Sequence, residues 1–395
     1  MRVLFLSQRA PYPPNRGDKI TTWRIVERLQ REHEVTVISF AHDEDDREAA
    51  AELRAKGIST IDIPHDERMK KLASLPLLLT RKPLTLGVYG SGKLQAEVDR
   101  RVGQTDAAYA YSSSMGAFLA HHDVPWVMHF AELDSDKWSQ YAGRTGWPMS
   151  WVYRREARTL EAYERDLARR SAANVFCTPL EERIFQDRIP GFPSTVMRNG
   201  VDLEFFSPSP STAEAGHLVF TGVMDYYPNV DGCVWFVNEI LPRIREHHPD
   251  VRFSIVGSRP NAEVQRLATT PGVEVTGFVD DTRDWLRRAS LAVAPLRIAR
   301  GIQNKVLESL AMGLPTVGTT CATQGVSGSA GEDYLVADDA EGFARAVVSL
   351  LDAPDRAGDL AREGRRFVEE HYDWERTLAP LEELLSLCSD RSSAS

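Results

Sequence analysis

The chain has 395 residues, 42% hydrophobic and 26% charged, with no low-complexity tract. That length supports two domains of ordinary size, each with its own core. The 47 basic residues against 57 acidic ones leave a net charge of −10, which argues against a general affinity for nucleic acid. Four scattered cysteines (Cys177, Cys233, Cys321 and Cys388) offer neither a zinc pattern nor a disulfide frame, and suit reduced thiols in a cytoplasmic protein.

The N-terminal MRVLFLSQRAPYPP is too short in its apolar run for a signal peptide or a membrane span, and reads as a first strand. In the first half, strands are expected at 2–7, 34–40, 59–64, 107–113, 125–130 and 173–178. Amphipathic stretches at 19–31, 43–56 and 94–102 separate several of them, and 150–170 reads as a long Arg/Glu-rich helix. Between them, RMKKLASLPLLLTRKPL (68–84) sets leucines between Lys70-Lys71 and Arg81-Lys82. The plainer expectation there is a core helix with solvated ends. The alternative is peripheral contact with an anionic membrane, at its inner face.

The pattern restarts at HLVFTGVMDYYPN (217–229), with strands at 252–257, 273–277, 290–296, 315–319 and 334–338. Pro, Ser, Thr and Ala replace periodic residues across 202–217, so the domains divide near residue 208: 1–208, 209–371 and a last segment 372–395 that can cross back to the first domain. Strands alternating with helices imply βαβ units, a parallel sheet in each half and an α/β fold of two Rossmann-like doubly wound domains facing across a cleft. Ligands of such sheets sit beyond the carboxyl ends of the strands, so candidate residues are those that just follow strands.

After the first strand, APYPPNRGDKITTW (10–23) places Gly17 before a helix, with Asn15, Arg16 and Lys19 around it; it is not a GxGxxG motif, and a plain turn would need no further explanation. VMHFAELDSDKW (127–138) offers His129, Asp134 and Glu132 at the end of another strand. Asp134-Ser135-Asp136 spells DxD, a metal–diphosphate pattern of one-domain transferases, and is treated as chance in a chain that starts a second domain; no metal is expected. Asn199-Gly200 reads as an ordinary turn, and Gly222 opens the loop after the strand that begins the second domain. In GFVDD (277–281) the main-chain groups of Phe278 and Val279 can read a base edge, while Asp280-Asp281 suits a helix cap.

The most informative stretch is ARGIQNKVLESLAMGLPTVGT (299–319). A helix beginning near Ile302 buries Val306, Leu307, Leu310 and Ala311 and ends at Gly313-Leu314-Pro315. Its N-terminus attracts phosphate, Lys305 adds a full positive charge in the first turn, and Glu308 lies one turn deeper on the same face. A carboxylate suits a ribose diol, so the pair suits a nucleoside diphosphate, with Gly301 allowing close backbone approach. The bland alternative is a surface i,i+3 ion pair worth a few tenths of a kcal/mol, or about 0.2–0.5.

NGVDLEFFSP (199–208), FTGVMDYYPNVDG (220–232), VTGFVDD (275–281) and GIQNKVLESLAMGLPTV (301–317) together resemble the marks of retaining glycosyltransferases of family 4, with the GT-B fold. PYPPNRGDK and DSDKW (134–138) are similar to a subgroup from bacterial exopolysaccharide clusters, including exosortase-associated ones. The resemblance implies a second domain that binds a nucleotide-sugar, UDP-sugar before GDP-sugar, and a first domain that binds a glycan or lipid-linked acceptor. It implies a metal-independent hexosyltransferase without a cofactor, Gly17 approaching donor phosphates, and His129 or Asp134 beside the reacting sugar. A nucleotide-sugar epimerase of the same architecture, using Asp134 and Glu132, is the alternative enzyme; a two-lobed sugar-binding protein without chemistry is a third.

Two departures qualify the resemblance. Where many relatives have two glutamates with seven residues between them, this chain has Arg300 and Glu308. Where many carry Arg and Lys after the strand opening the second domain, it has GVMDYYPN. The expectation is a swap, in which Arg297, Arg300 and Lys305 replace the lost phosphate cations.

Overall fold

The computed structural model describes residues 1–14, 16–209, 213–299 and 301–393. The chain divides into two compact units, Met1–Arg198 with Leu378–Ser395, and Asn199–Thr377. Each contains one parallel sheet.

The first sheet holds β1 (Arg2–Ser7), β2 (Glu34–Ala41), β3 (Ser59–Pro64), β4 (Ala107–Tyr111), β5 (Trp126–Ala131), β6 (Ala173–Phe176) and β7 (Ser194–Val196), in the order β3-β2-β1-β4-β5-β6-β7. Leu4, Leu6, Ile38, Phe40, Ala108, Ala110, Trp126 and Met128 belong to one apolar core, and the alternate residues Val3, Phe5, Val37, Tyr109 and Val127 are buried as well. Such near-continuous burial is what helices on both faces of a parallel sheet require, and each large side chain so buried contributes about 1.5–3 kcal/mol. Six of the strands follow the expected runs. β7 does not, because Ser194-Thr195-Val196 is a three-residue edge with no apolar run. The order reverses between β1 and β4, so the switch point lies beyond their carboxyl ends. The last helix, Pro380–Ser393, belongs to this unit and buries Leu381, Leu384 and Leu385; Glu382 reaches His33 Nε2 at 3.3 Å.

Residues 68–84 do not form a core helix. The helix Glu67–Ser74 buries only Ser74, and Pro76 sits in a 3-10 turn, Leu75–Leu79, that buries nothing. Leu72 and Leu79 are 64% and 93% exposed. The proline interrupts α-helical hydrogen bonding before the leucines can form one continuous inward stripe.

The second sheet holds β8 (His217–Thr221), β9 (Arg252–Val256), β10 (Val273–Gly277), β11 (Leu291–Ala294), β12 (Thr316–Gly318) and β13 (Leu335–Val336), in the order β10-β9-β8-β11-β12-β13. Here the reversal falls between β8 and β11. The second unit begins at Asn199, earlier than residue 208, because 199–208 is tied into it. Val201 bridges Asp373, and Arg365 donates to the carbonyls of Phe206 (2.7 Å) and Leu203 (3.3 Å). Asn199-Gly200 is not an ordinary turn. A Cβ on Gly200 would stand 2.7 Å from the Trp374 ring and 2.8 Å from the Tyr372 carbonyl, so glycine is required by close approach.

Candidate active site

In the second unit the carboxyl ends of β8 and β11 lead into the two segments that build the site. β8 runs into Gly222 and then the helix Tyr227–Trp235. β11 leads through residues 295–303 to the helix Asn304–Ala311, which buries Val306, Leu307, Leu310 and Ala311 as the spacing requires. Gly313, at φ +68°, turns the chain at its end, and Arg365 donates to the Ala311 carbonyl there, a cation where the helix dipole favours one.

Lys305 Nζ donates to Asn229 Oδ1 at 2.6 Å and lies 4.3 Å from the centroid of the Phe220 ring. Asn229 is itself held, its amide donating to the Val223 carbonyl at 2.9 Å. The two segments therefore meet at the switch point through Lys305 and Asn229. Gly222 fits between them: a Cβ there would stand 2.7 Å from Asn229 Nδ2 and 3.0 Å from Lys305 Nζ. Gly222 is in turn covered by Gly257, whose φ is +146° and whose Cβ would meet the Gly222 carbonyl oxygen at 1.7 Å. That leaves no room for any side chain at 257.

Lys305 thus engages Asn229, not its neighbour Glu308, one turn along the same helix. Burial pushes the Lys305 ammonium down to about 8, against the opposing effects of Cys233 and Glu308. Burial pushes the Glu308 carboxyl up to about 7, with Lys305 opposing. Two oppositely charged groups held near neutrality at a switch point form a candidate functional pair. Asn304, first in the same helix, has a buried Oδ1 without a hydrogen-bond partner among the described residues.

Other expected residues fall around this centre or away from it. Gly301 adopts φ +63°, and Gly325 packs so closely that its Cβ would stand 2.2 Å from the Gly301 carbonyl oxygen. Phe278 is exposed and Val279 half-buried just beyond β10, after Gly277 at φ +71°. The N-cap of the following helix, Arg283–Arg288, is Thr282 rather than Asp280 or Asp281; Asp281, one residue earlier, accepts from the Arg283 backbone N–H at 2.9 Å and pairs with its guanidinium at 2.6 Å. Arg297, its side chain 46% exposed, pairs through its guanidinium with Asp231 at 2.5 and 2.9 Å. Arg300 and Asn15 lie outside the described residues.

In the first unit, Gly17 opens the helix Gly17–Gln30, with open space where a Cβ would stand, and Arg16 pairs with Asp18 at 2.6 Å. Lys19 is buried, its ammonium 3.1 Å from Asp46, which also holds Arg9 at 2.6 Å. This internal ion cluster accounts for Lys19 without a ligand. His129 is fully enclosed within β5, between the Tyr109 hydroxyl at 2.8 Å and Cys177 Sγ at 3.3 Å. Burial pushes it down to about 3, so the ring is neutral at physiological pH. A ring closed off on both nitrogens does not meet a substrate, and the sequence could not distinguish this because strand burial is a tertiary property.

Asp134 is half-buried at the start of the helix Asp134–Arg144 and accepts from the Ser113 hydroxyl at 2.5 Å, linking the ends of β4 and β5. Ser112 (φ 83°) and Ala131 (φ 62°), near it in the first unit, adopt left-handed backbone; in the second unit Arg259 (φ 56°) does the same after β9. Non-glycine residues there are strained, and such strain gathers at functional sites. Behind Asp134, Glu164 is wholly buried; burial and then the charge of Asp134 push its carboxyl up to about 8. Glu132 is paired with Lys137. Asp136, the second carboxylate of the DxD, holds Arg188 at 2.5 Å. Gln8, just after β1, donates to the hydroxyls of Ser112 (3.0 Å) and Ser114 (2.7 Å), and Ser114 helps line a cavity of about 250 Å³ with Tyr89, Gln95 and Phe118. Asn229, Glu164 and Gln8 were missed by sequence reasoning. Only Asn229 had a signal, since it falls in the segment after β8 where cations are expected.

Comparison with known proteins follows the same division. Residues 215–353 match the family model described as "Glycosyl transferases group 1". Glycogen synthase of Mycobacterium tuberculosis is 28% identical over 274 residues, 66% of this chain and 62% of that protein, so the chain spans about three fifths of the relative's length. Sucrose-phosphate synthase from Thermosynechococcus elongatus superposes with a TM-score of 0.73 at 16% identity, covering 100% of both chains. Anabaena HepE in complex with UDP gives 0.73 at 15% identity, covering 98% of this chain and 100% of that one. Residues 215–353, within the second unit, are thus similar to group 1 glycosyl transferases, and the chain has the two-sheet α/β fold of the GT-B glycosyltransferases.

Proposed function

We propose that the chain is a retaining glycosyltransferase that moves a sugar from a nucleotide-sugar, UDP-sugar before GDP-sugar, to a hydroxyl of a glycan or lipid-linked glycan in exopolysaccharide synthesis. The observation that carries the reading is the joining of Lys305 and Asn229 at the switch point between β8 and β11, with Glu308 one helical turn away. That HepE was solved with UDP supports the choice of base.

In this reading Lys305 faces the diphosphate. Departure of a nucleoside diphosphate builds negative charge, and a fixed cation beside backbone N–H groups at a helix start offsets it without reorganisation. A half-desolvated ammonium gains more from a phosphate than a hydrated one would. Gly222 and Gly301 keep side chains away from the phosphates, and Glu308 accepts from the ribose hydroxyls. Main-chain groups at Phe278 and Val279 read the base. Arg300 is the second cation of the proposal, so that charge neutralisation rests on protein groups. Asp134, rather than the enclosed His129, is the carboxylate assigned to the sugar.

A thermal-shift panel with UDP, GDP and ADP tests the donor site without an acceptor. UDP is expected to raise the Tm of the wild type most, and to do so far less in Lys305→Ala. Equal shifts from all three nucleotides, or an undiminished shift in the variant, would overturn the reading. Product anomer analysis by NMR then decides the stereochemistry: an inverted anomer rejects the retaining assignment.

A further inference from the structure

We infer that the first unit carries a membrane-contact surface made of two separate stretches, residues 67–82 and 144–158, and that it fits an anionic lipid bilayer. This stands apart from the donor site of the second unit, and its test does not use turnover.

The first stretch exposes Met69 (63%), Leu72 (64%), Leu75 (53%) and Leu79 (93%). The second exposes Trp147 (84%) and Trp151 (51%), with Met149 between them. Arg155 fastens the two together. Its guanidinium donates to the carbonyls of Leu77 (2.5 Å), Leu78 (3.1 Å), Thr80 (2.6 Å) and Lys82 (2.9 Å). The buried Glu156 carboxylate accepts from the backbone N–H groups of Leu84 and Thr85, both at 2.8 Å. Trp151 lies one turn before Arg155 on the helix Met149–Arg170, hence on the same face. Arg155 thus ties the leucine stretch, through four carbonyls, to the helix that carries Trp151 and that Trp147 immediately precedes.

Single exposed apolar residues are ordinary, but a fastened group of large ones is not. The charge around them selects the partner. Although the chain is net acidic, these two stretches are basic. Arg68, Lys71, Arg81, Lys82, Arg144 and Arg154 are all exposed. Among the acidic residues of the two stretches, Glu67 is paired with Lys71 at 2.7 Å and Glu156 is buried. Leucine and tryptophan inserting at the headgroup boundary beneath a ring of Lys and Arg is the chemistry of interfacial binding to anionic lipid. Tryptophan in particular favours that boundary. Among the described residues no helix is long and apolar enough to cross a membrane, so the contact is with one face of the bilayer.

The test is co-sedimentation of the full chain with vesicles of phosphatidylcholine alone and of phosphatidylcholine mixed with phosphatidylglycerol. Binding is expected only with the anionic mixture, with a blue shift of tryptophan fluorescence. Arg81→Glu with Lys82→Glu should weaken it by at least on the order of tenfold. Leu75→Ser with Leu79→Ser should remove the insertion signal while leaving Tm and the UDP thermal shift of the wild type intact. Absence of sedimentation with anionic vesicles overturns the inference, as does equal binding by all variants. So does a dimer in solution that the Leu75/Leu79 variant dissociates, which would make the face a contact between copies of this chain.

Discussion

Lys305 Nζ lies 2.6 Å from Asn229 Oδ1, a bond between residues 76 positions apart in sequence that joins the segments following β8 and β11. Because the strand order of the second sheet reverses between these two strands, the bond stands where open α/β sheets place their ligands. The segment after β8 that lacks the expected cations contributes instead, from the first turn of its helix, the Asn229 amide, whose oxygen accepts from a cation arriving from the other side. Of the swap anticipated from sequence, Lys305 stands at the centre, Arg297 is paired with Asp231, and Arg300 lies outside the described residues.

Lys305→Met should separate stability from function. Burial lowers the ammonium's pKa, so the fold tolerates the charge at a cost. An apolar side chain of similar length removes that cost but leaves the Asn229 carbonyl without its donor. The unliganded variant is expected to melt within about 3 °C of the wild type. Its kcat/KM should fall by roughly 10²–10³, the loss typical of one transition-state charge donor. A variant that keeps its turnover would detach Lys305 from the diphosphate.

The same two groups set a pH window. Donor binding needs Glu308 ionised, which is lost as pH falls through about 7, and Lys305 charged, which is lost as pH rises through about 8. Affinity for UDP should therefore peak narrowly between these values. In the unliganded chain the signs are opposite. Glu308, raised from 4.5, contributes stability that fades as pH rises from about 4.5 to about 7; Lys305, lowered from 10.5, regains stability as pH climbs from about 8 toward 10.5. Titration calorimetry across this range checks the window. Glu308→Gln should flatten its acid limb and Lys305→Arg its alkaline limb.

Gly257→Ala should be the most damaging single-methyl change in the second unit. The new Cβ would meet the Gly222 carbonyl at 1.7 Å in a backbone conformation that disfavours any side chain. A loss above about 3 kcal/mol in urea unfolding is expected, since overpacking and backbone strain each cost about 1–3. Gly222→Ala, by contrast, pushes on the movable ends of Asn229 and Lys305. It should lower UDP affinity more than it lowers stability.

What was legible in the sequence was legible for a physical reason. Most strands are runs of buried apolar residues, so twelve of the thirteen were visible as runs, while β7 has only Ser194-Thr195-Val196. Lys305 and Glu308 were found because two charges interrupt an apolar helix start immediately after a strand. Asn229 was not, because its importance depends on which strands are neighbours, and local pattern does not encode sheet order. His129 and Lys19 misled for the same reason: sequence shows that a group can titrate, not that Tyr109, Cys177 or Asp46 already surrounds it. The leucines of 68–84 misled in the other direction, exposed where a core was expected.

His129→Phe and Asp134→Asn should therefore part company. The first strands the Tyr109 hydroxyl in the core and is expected to cost about 1–3 kcal/mol of stability. At temperatures where the variant is folded, kcat should stay within about twofold of the wild type, because exchange of a group that touches no substrate removes no transition-state interaction. Asp134→Asn keeps the shape and removes the charge, so its kcat should fall while its Tm holds. The reverse outcome, with His129 controlling turnover, would return the histidine to the reacting sugar.

Glu164 supplies the last expectation. Its folded pKa, raised from 4.5 to about 8 by burial and by Asp134, means the protonated acid is the form the fold favours. The stability it contributes is fully present below about 4.5 and declines as pH rises through about 8, where the unfolded chain is already ionised. Glu164→Gln fixes the neutral form and still offers a carbonyl to the Ser135 N–H that Glu164 now accepts at 3.1 Å. The variant's Tm should match the wild type near pH 5 and exceed it by a few degrees near pH 8. An Asp134→Asn background should shrink that difference, because it removes the neighbouring charge that holds the Glu164 proton in place. A Tm gap that ignores pH would mean the carboxyl is ionised in the fold, and that Asp134 stands beside a second negative charge.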